Sequence, residues 1–248
     1  MVGIWVSAAW ASAAPSPSVL VVGGSMMNGD HFADATLPVM REHFAGCRRV
    51  VLVLHASHPE DRDRTELRLQ RAFAHLGDIA AESLHRVDEA EARRRLLAAD
   101  GIFVGGGETF VLLRELYRTG QWEVIRERVS AGVPYAGSSA GANVAGQRIG
   151  TTNDFPVADI PTRDALAIFP AVINPHHPCP GAPDFGARAG KIQSYLRFNP
   201  AETVLALGDA SIARLHEGKV TFIVGYGRVY RAGEIDEVTP GQRLEHVR

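Results

Sequence analysis

Cysteine, net charge and long apolar runs are all scarce in this chain of 248 residues. Two cysteines, Cys47 and Cys179, cannot build a disulfide framework, so we expect a protein of the reducing cytoplasm. The 26 basic and 28 acidic side chains leave a formal charge of −2, which favours neither a nucleic-acid partner nor an anionic membrane. No uninterrupted run of about 18 apolar residues occurs, so the sequence predicts no membrane span.

The first 17 residues differ from the rest because they are apolar and carry no charged side chain. The segment Ala11-Ser12-Ala13 resembles the cleavage site of a secretory signal, but no Lys or Arg precedes the apolar stretch, as such a signal requires. We therefore predict a disordered extension over residues 1–17. No repeat and no long polar linker divides the remainder, which predicts a single domain over residues 18–248.

Short apolar runs alternate with amphipathic stretches along the first half of the chain. Four runs have the composition of buried strands: residues 19–22, 50–54, 101–104 and 133–136. Helical periodicity marks three of the intervening stretches: residues 33–45, 61–76 and 88–98, the last with Ala90, Leu96 and Leu97 as its predicted inward face. Strand, helix and strand in repetition indicate an α/β fold of three layers, with helices on both faces of a mainly parallel sheet.

The C-terminal part of the chain changes character, because strands follow one another without helices. Residues 203–207, 211–215, 219–224 and 228–231 have strand composition. Turn signals at Glu217-Gly218 and Gly225 separate some of them, so we predict C-terminal β-hairpins near an edge of the sheet.

A serine lies in the sequence Gly137-Ser138-Ser139-Ala140-Gly141, which fits the pattern G-x-S-x-G directly after a predicted strand. A sharp strand-to-helix turn of this kind lifts a serine hydroxyl clear of the sheet, and the flanking glycines leave room for the crowded backbone. Free N–H groups at the start of the next helix suit an oxyanion. Ser139 is the candidate nucleophile, although a helix-capping serine or a phosphate-binding loop also fits the five residues alone.

A serine nucleophile needs a base and an acid that orients the base. His176 and His177 lie between prolines after the apolar segment 171–173, where a base is expected. A zinc site in the same segment is less favoured, since only Cys179 adds a ligand at local spacing. Asp209 follows another apolar strand and is the candidate acid, with Asp184 and Asp154 as rivals.

Five motifs, in this order, resemble peptidase E, the aspartyl dipeptidase family related to the cyanophycinases. They are GGGETFVLL, GSSAGANVAG, TTNDFPV, INPHH and VLALGDAS. The resemblance implies a fold like that of class I glutamine amidotransferase domains. It also implies hydrolysis of dipeptides with an N-terminal aspartate by a serine peptidase that needs no metal and no other cofactor. The family's serine, histidine and acid fall on Ser139, His176 and Asp209; the acid is usually glutamate, and the shorter aspartate requires a closer approach to His176.

The resemblance also suggests residues around the reacting carbonyl. Gly106 or Gly107 would complete an oxyanion hole with Ala140. Glu108 stands where the family usually has asparagine and would pair with the substrate's α-ammonium group. Its alternative role is that of a glutamate in the first turn of a helix.

Two further residues are matched to the family's substrate site. Asp154 would shape the site. Arg188, with Lys191 as its alternative, falls in a segment that is polar and mobile in the family and would bind the aspartate side chain with its guanidinium fork.

Three other functions remain open at this point. An α/β-hydrolase esterase shares G-x-S-x-G but takes its histidine after the acid, which would recruit His216 or His246. A binding module would hold phosphate with the glycine turns 23–24 and 105–107, although neither has the full nucleotide-binding spacing. A cyanophycinase-like hydrolase would act on a β-aspartyl polymer. The expected partner is a small peptide, without nucleic acid or membrane, and a homodimer is left open.

Overall fold

A computed structural model describes residues 16–247. Its strands are β1 (Ser18–Val22), β2 (Met27–Asn28), β3 (His31–Phe32), β4 (Arg49–Val53), β5 (Ala80–Ser83), β6 (Gly101–Val104), β7 (Tyr135–Ser138), β8 (Val172–Asn174), β9 (Val204–Leu207), β10 (Ile212–His216), β11 (Lys219–Val224), β12 (Gly227–Arg231) and β13 (Glu234–Val238). Its α-helices are α1 (Leu37–His43), α2 (Arg62–Ala74), α3 (Glu89–Ala98), α4 (Thr109–Arg118), α5 (Gln121–Ser130), α6 (Ala140–Ala145) and α7 (Phe185–Phe198).

The central sheet has seven strands in the order β11-β10-β1-β7-β6-β4-β5. The five strands from β1 to β5 in this order pair in parallel, whereas β10 and β11 form an antiparallel hairpin at one edge. The predicted mainly parallel sheet with a C-terminal hairpin at its edge is therefore confirmed. Strands β1, β7 and β6 are neighbours, so their carboxyl ends meet at one edge of the sheet.

Alternate residues of the central strands face two separate apolar cores. Val19 and Val21 of β1 lie in the core formed with helices α3 to α6, whereas Leu20 and Val22 lie in the core formed with α1 and α2. Burial on both faces explains why these strands are continuous apolar runs in the sequence. The result is the predicted three-layer arrangement of helices, sheet and helices.

A second sheet of four strands, in the order β13-β12-β9-β8, was not expected from the sequence. Its strands β8 and β9 are parallel, and β12 pairs antiparallel with β9. Helix α7 packs on it through Ile192 and Leu196, which share a small core with Tyr230. This sheet determines where the segments after β8 and β9 lie, and those segments carry His176 and Asp209.

Several local predictions were wrong. Helix α1 begins only at Leu37, because residues 34–36 form a turn. In α3 the buried residues are Ala92 and Leu96, four positions apart on one face, while Ala90 and Leu97 are exposed. Helices α5 and α7 and strands β5 and β13 were not predicted.

The N-terminal segment and the absence of a membrane span were also predicted from the sequence. The predicted extension over residues 1–17 lies, apart from its last two residues, outside the described part of the chain. Within residues 16–247, no helix has both the length and the apolar composition needed to cross a bilayer.

Candidate active site

Ser139 lies at the carboxyl end of β7, in the middle of the central sheet. Its backbone has φ 53° and ψ −109°, a conformation that L-residues rarely adopt. Its N–H donates to the carbonyl of Val22 at 3.0 Å, and its carbonyl accepts the first N–H bond of α6, from Asn143, at 2.9 Å. A Cβ at Gly141 would lie 2.2 Å from the carbonyl oxygen of Val104, so the turn can close only with glycine there. The strained strand-to-helix turn expected for a nucleophile is present.

His176 lies with its ring between Ser139 and Asp209. Its Nδ1 is 2.6 Å from Oδ1 of Asp209, and its Nε2 is 2.8 Å from Oγ of Ser139. A carboxylate only accepts hydrogen bonds, so Nδ1–H donates to Asp209 and the unprotonated Nε2 accepts from the serine hydroxyl. The His176 and Asp209 side chains are 43% and 56% exposed, which leaves the three residues open to a substrate. The shorter aspartate therefore does reach the imidazole.

The Gly23-Gly24 turn after β1 supports this arrangement, a role that was not predicted from the sequence. The Gly23 carbonyl accepts the N–H of His176 at 2.9 Å, and the Gly24 carbonyl accepts the N–H of Ala210 at 2.7 Å. Gly24 has φ +131°, and a Cβ there would lie 2.1 Å from Cε1 of His176. The turn thus joins the segments that carry His176 and Asp209 to the central sheet. The sequence signal for this role is the position of the two glycines directly after β1, a buried strand whose carboxyl end lies beside that of β7.

The glycine turn after β6 lies against the serine. A Cβ on Gly106 would be 3.1 Å from Cβ of Ser139. The backbone N–H groups of Gly106, Gly107 and Ala140 donate to no acceptor within residues 16–247. Free N–H groups beside a serine are what an oxyanion requires.

Glu108 and Asp154 are neighbouring carboxylates beside this turn. Oδ2 of Asp154 accepts the N–H of Thr109 at 2.8 Å, which places it at the start of α4, next to Glu108. Oε2 of Glu108 is shielded from solvent and has no hydrogen-bond partner within the described residues. Burial, reinforced by the charge of Asp154, raises the pKa of Glu108. Glu108 thus follows Gly106, which lies against the serine, by two residues, and its carboxylate makes no side-chain hydrogen bond that caps α4.

Arg188 lies in the first turns of helix α7. Its Nη1 is 3.4 Å from the carbonyl of Pro175, the residue before His176, and 3.5 Å from Oδ1 of Asn174. The guanidinium is half-buried and makes no ion pair with any residue of 16–247. Burial lowers the pKa of Arg188, partly offset by Asp184. A positive charge beside the candidate base is free to take an anionic group.

Within residues 16–247, the side-chain hydroxyl of the serine bonds to His176 and to none of the remaining candidate groups. His216 ends β10 opposite Ser18, the first residue of β1, whereas the serine's neighbour Val22 is the last residue of that strand. Nε2 of His177 bonds to the hydroxyl of Tyr230. One group of metal-ligand type, Asp63, Glu66 and His85, lies on α2 and after β5, but Arg86 forms ion pairs with both of its carboxylates.

The fold and this site define a class: an α/β protein of the class I glutamine amidotransferase-like type, with a serine, a histidine and an aspartate hydrogen-bonded at the carboxyl edge of its sheet. The sequence profile of peptidase family S51 matches residues 19–223, and the chain belongs to that family. It is a peptidase by this membership.

Similar proteins agree with the family assignment. Peptidase E of Pasteurella multocida strain Pm70 is 35% identical over 213 residues, which is 84% of this chain and 89% of the relative. Peptidase E of Haemophilus influenzae strain Rd is 34% identical over 205 residues, 81% of this chain and 93% of the relative. A solved peptidase from an acI-B1 Actinobacterium has the same fold, with a TM-score of 0.68 at 17% identity over 93% of this chain and 97% of its own.

Proposed function

We propose that this peptidase is a serine exopeptidase that hydrolyses dipeptides with an N-terminal aspartate through an acyl-enzyme. The hydrogen-bond chain from Ser139 through His176 to Asp209 carries the proposal, because each atom in it has the partner that serine catalysis needs. The family membership and the peptidase E relatives support the same chemistry.

In the proposed mechanism, Oγ of Ser139 attacks the carbonyl carbon of the aspartyl residue while Nε2 of His176 takes the hydroxyl proton. Asp209 keeps the imidazole in the required tautomer and stabilises the imidazolium. The N–H groups of Ala140 and of Gly106 or Gly107 stabilise the tetrahedral oxyanion, and loss of one such donor typically lowers the rate by about 10²–10³. His176 then protonates the leaving amine, and water, activated by the same base, releases aspartate from Ser139.

The side chain of the N-terminal aspartate is assigned to Arg188. A guanidinium binds a carboxylate through two parallel hydrogen bonds. Within residues 16–247, the side-chain hydrogen bonds of Arg188 are two long ones, which a ligand would displace or extend. An arginine guanidinium keeps its charge in proteins, so Arg188 offers a permanent cation to the substrate.

The α-ammonium group of the substrate is assigned to Glu108, with Asp154 beside it. An exopeptidase must distinguish a free N-terminus from a peptide bond, and an unpaired carboxylate next to the glycine turn provides that contact. Opposite charges on Glu108 and Arg188 then match the two charged groups of an N-terminal aspartate.

The test measures hydrolysis of Asp-Leu, Glu-Leu, Asn-Leu and Ala-Leu by the wild type, by three variants of the site and by one control variant. We expect wild-type preference for Asp-Leu, loss of turnover in Ser139→Ala and His176→Ala, and loss of the preference in Arg188→Ala with turnover of Ala-Leu retained. His246→Ala serves as a matched histidine control and should keep wild-type rates. Wild-type turnover by Ser139→Ala would contradict the mechanism, and an unchanged preference in Arg188→Ala would contradict the assignment of the acidic side chain.

A further inference from the structure

His177, the residue after the candidate base, is one of the most buried polar side chains of the described chain, with 2% of its surface exposed. Its ring contacts three aromatic rings: Phe185 at 5.7 Å, Tyr230 at 5.7 Å and Tyr226 at 6.1 Å between centroids. Adjacent histidines therefore have opposite surroundings, since His176 is open to solvent.

Both ring nitrogens of His177 have partners. Nδ1 is 2.9 Å from the carbonyl of Pro178, and Nε2 is 2.9 Å from the hydroxyl of Tyr230. A carbonyl only accepts, so Nδ1–H donates and Nε2 accepts from the tyrosine O–H. Burial lowers the pKa of His177, which agrees with a neutral ring. The ring is fixed in one orientation.

This fixed ring adjoins a strained part of the backbone. His176 has φ +53°, although it is not glycine. Such a conformation persists only where the surroundings over-determine it. Here the N–H of His176 is bound to Gly23 on one side, and His177 is bound by its own N–H to Leu207 and by its ring to Tyr230 on the other.

The same ring contacts the start of helix α7. Phe185, which packs edge-on against His177, is the first residue of α7, and Arg188 follows it by three positions, about one turn. The His177 ring thus lies between the segment of the candidate base and the helix that carries the candidate acid-binding arginine.

We infer that His177, held by Tyr230, is a positioning residue that fixes both the His176 imidazole against Ser139 and the helix start that presents Arg188. The importance of this role for catalysis rests on the proposed function. It assigns no contact with substrate to His177.

The test is Tyr230→Phe, which removes one hydroxyl and keeps the ring. The buried Nε2 of His177 then lacks a partner, and we expect about a tenfold lower rate of Ser139 labelling by a fluorophosphonate, a higher KM for Asp-Leu, and shifted NMR signals of the His176 ring. Adding Tyr230→Phe to His177→Phe should cause no further loss, because both remove the same hydrogen bond.

The matched control is Tyr195→Phe, which removes the hydroxyl of a tyrosine of α7 that bonds to Glu202 and not to His177. We expect lower thermal stability in this control, with wild-type labelling and an unchanged His176 spectrum. Equal His176 spectra in Tyr230→Phe and the wild type would overturn the inference. A wild type that is not labelled at Ser139 would instead contradict the proposed function, while the NMR comparison still decides the positioning role.

Discussion

Glu108 is a single carboxylate whose surroundings oppose its charge. Its Oε2 has no donor within the described residues, and burial together with Asp154 raises its pKa above the ordinary value of 4.5. A folded protein that disfavours an ionised acid is less stable above that pKa than below it. Such a group is retained most readily where a ligand supplies the missing positive charge.

Replacement of Glu108 by glutamine should separate binding from stability. We expect Glu108→Gln to raise KM for Asp-Leu about tenfold or more at neutral pH, since a hydrogen bond to a charged group is lost. Wild-type kcat/KM should fall as the pH drops through the raised pKa of Glu108, and this limb should disappear in the variant. Steady-state kinetics from pH 4.5 to 8 provide the measurement.

The same substitution that weakens substrate binding should stabilise the folded protein. Glu108→Gln should raise the Tm at pH 7 and change it less at pH 4, where the wild-type carboxyl is already protonated. The exposed Glu60→Gln is the control and should alter neither quantity. An unchanged KM in Glu108→Gln would remove Glu108 from the substrate site.

The sequence predicts Ser139, His176 and Asp209 as one group because each follows an apolar strand, and the structure joins the three by hydrogen bonds. A hydroxyl, an imidazole and a carboxylate then indicate a nucleophile, a base and an acid that orients the base. Arg188 and Glu108 could be named only by resemblance, since a charged residue in a polar stretch has no pattern of its own. The packing of His177 was not predictable, because its partner Tyr230 lies 53 positions away.

At the scale of elements, the end of β1 decides whether the candidate base can reach the serine. Gly24→Ala would place a methyl group 2.1 Å from Cε1 of His176 at φ +131°. We expect the imidazole to be displaced and hydrolysis to fall by at least about 10², in line with the contribution of a general base. The far-UV circular dichroism should stay that of the wild type.

Gly29→Ala is the matched control for this substitution. Gly29 also has a positive φ, +60°, but a Cβ there meets nothing within 4 Å. This variant should carry the backbone cost of a left-handed alanine and keep wild-type activity. Equal activity of the two variants would show that the close contact between the His176 ring and Gly24 does not matter for hydrolysis.

The elements of the central sheet were largely predictable, whereas the second sheet was not. Strands β1, β4 and β6 are buried on both faces, so they are unbroken apolar runs. Strand β13 has four exposed residues out of five, and α7 buries only Ile192 and Leu196, so neither has a strong periodic signal. Their positions depend on contacts between distant segments.

For the whole molecule, buried histidines set the response to acid. Burial lowers the pKa of His43 to about 4, and it also lowers the pKa values of His55 and His177. Nε2 of His43 bonds to the carbonyl of Tyr135 in β7, which ties α1 to the strand that precedes Ser139. The unfolded chain takes up protons on these side chains at a higher pH than the folded protein does.

The free energy of unfolding should therefore fall as the pH drops from 6.5 towards 4. His43 alone contributes about 3 kcal/mol to this loss, from its shift between the two states. His43→Gln keeps a donor for Tyr135 and should show a shallower decline in urea titrations across this range. The exposed His58→Gln should decline as steeply as the wild type, and an equally steep decline in His43→Gln would contradict the prediction.

The two sheets share one chemical centre, because the serine follows a strand of the larger sheet while the imidazole and its carboxylate follow strands of the smaller one. At the site, the N–H groups of His176 and Ala210 bond to the Gly23 and Gly24 carbonyls, and beneath it Leu205 and Leu207 share a core with Val21 of β1. A small displacement of one sheet relative to the other would separate the serine from its base while the helices and strands stay folded. Inactivation on heating should thus come before global melting.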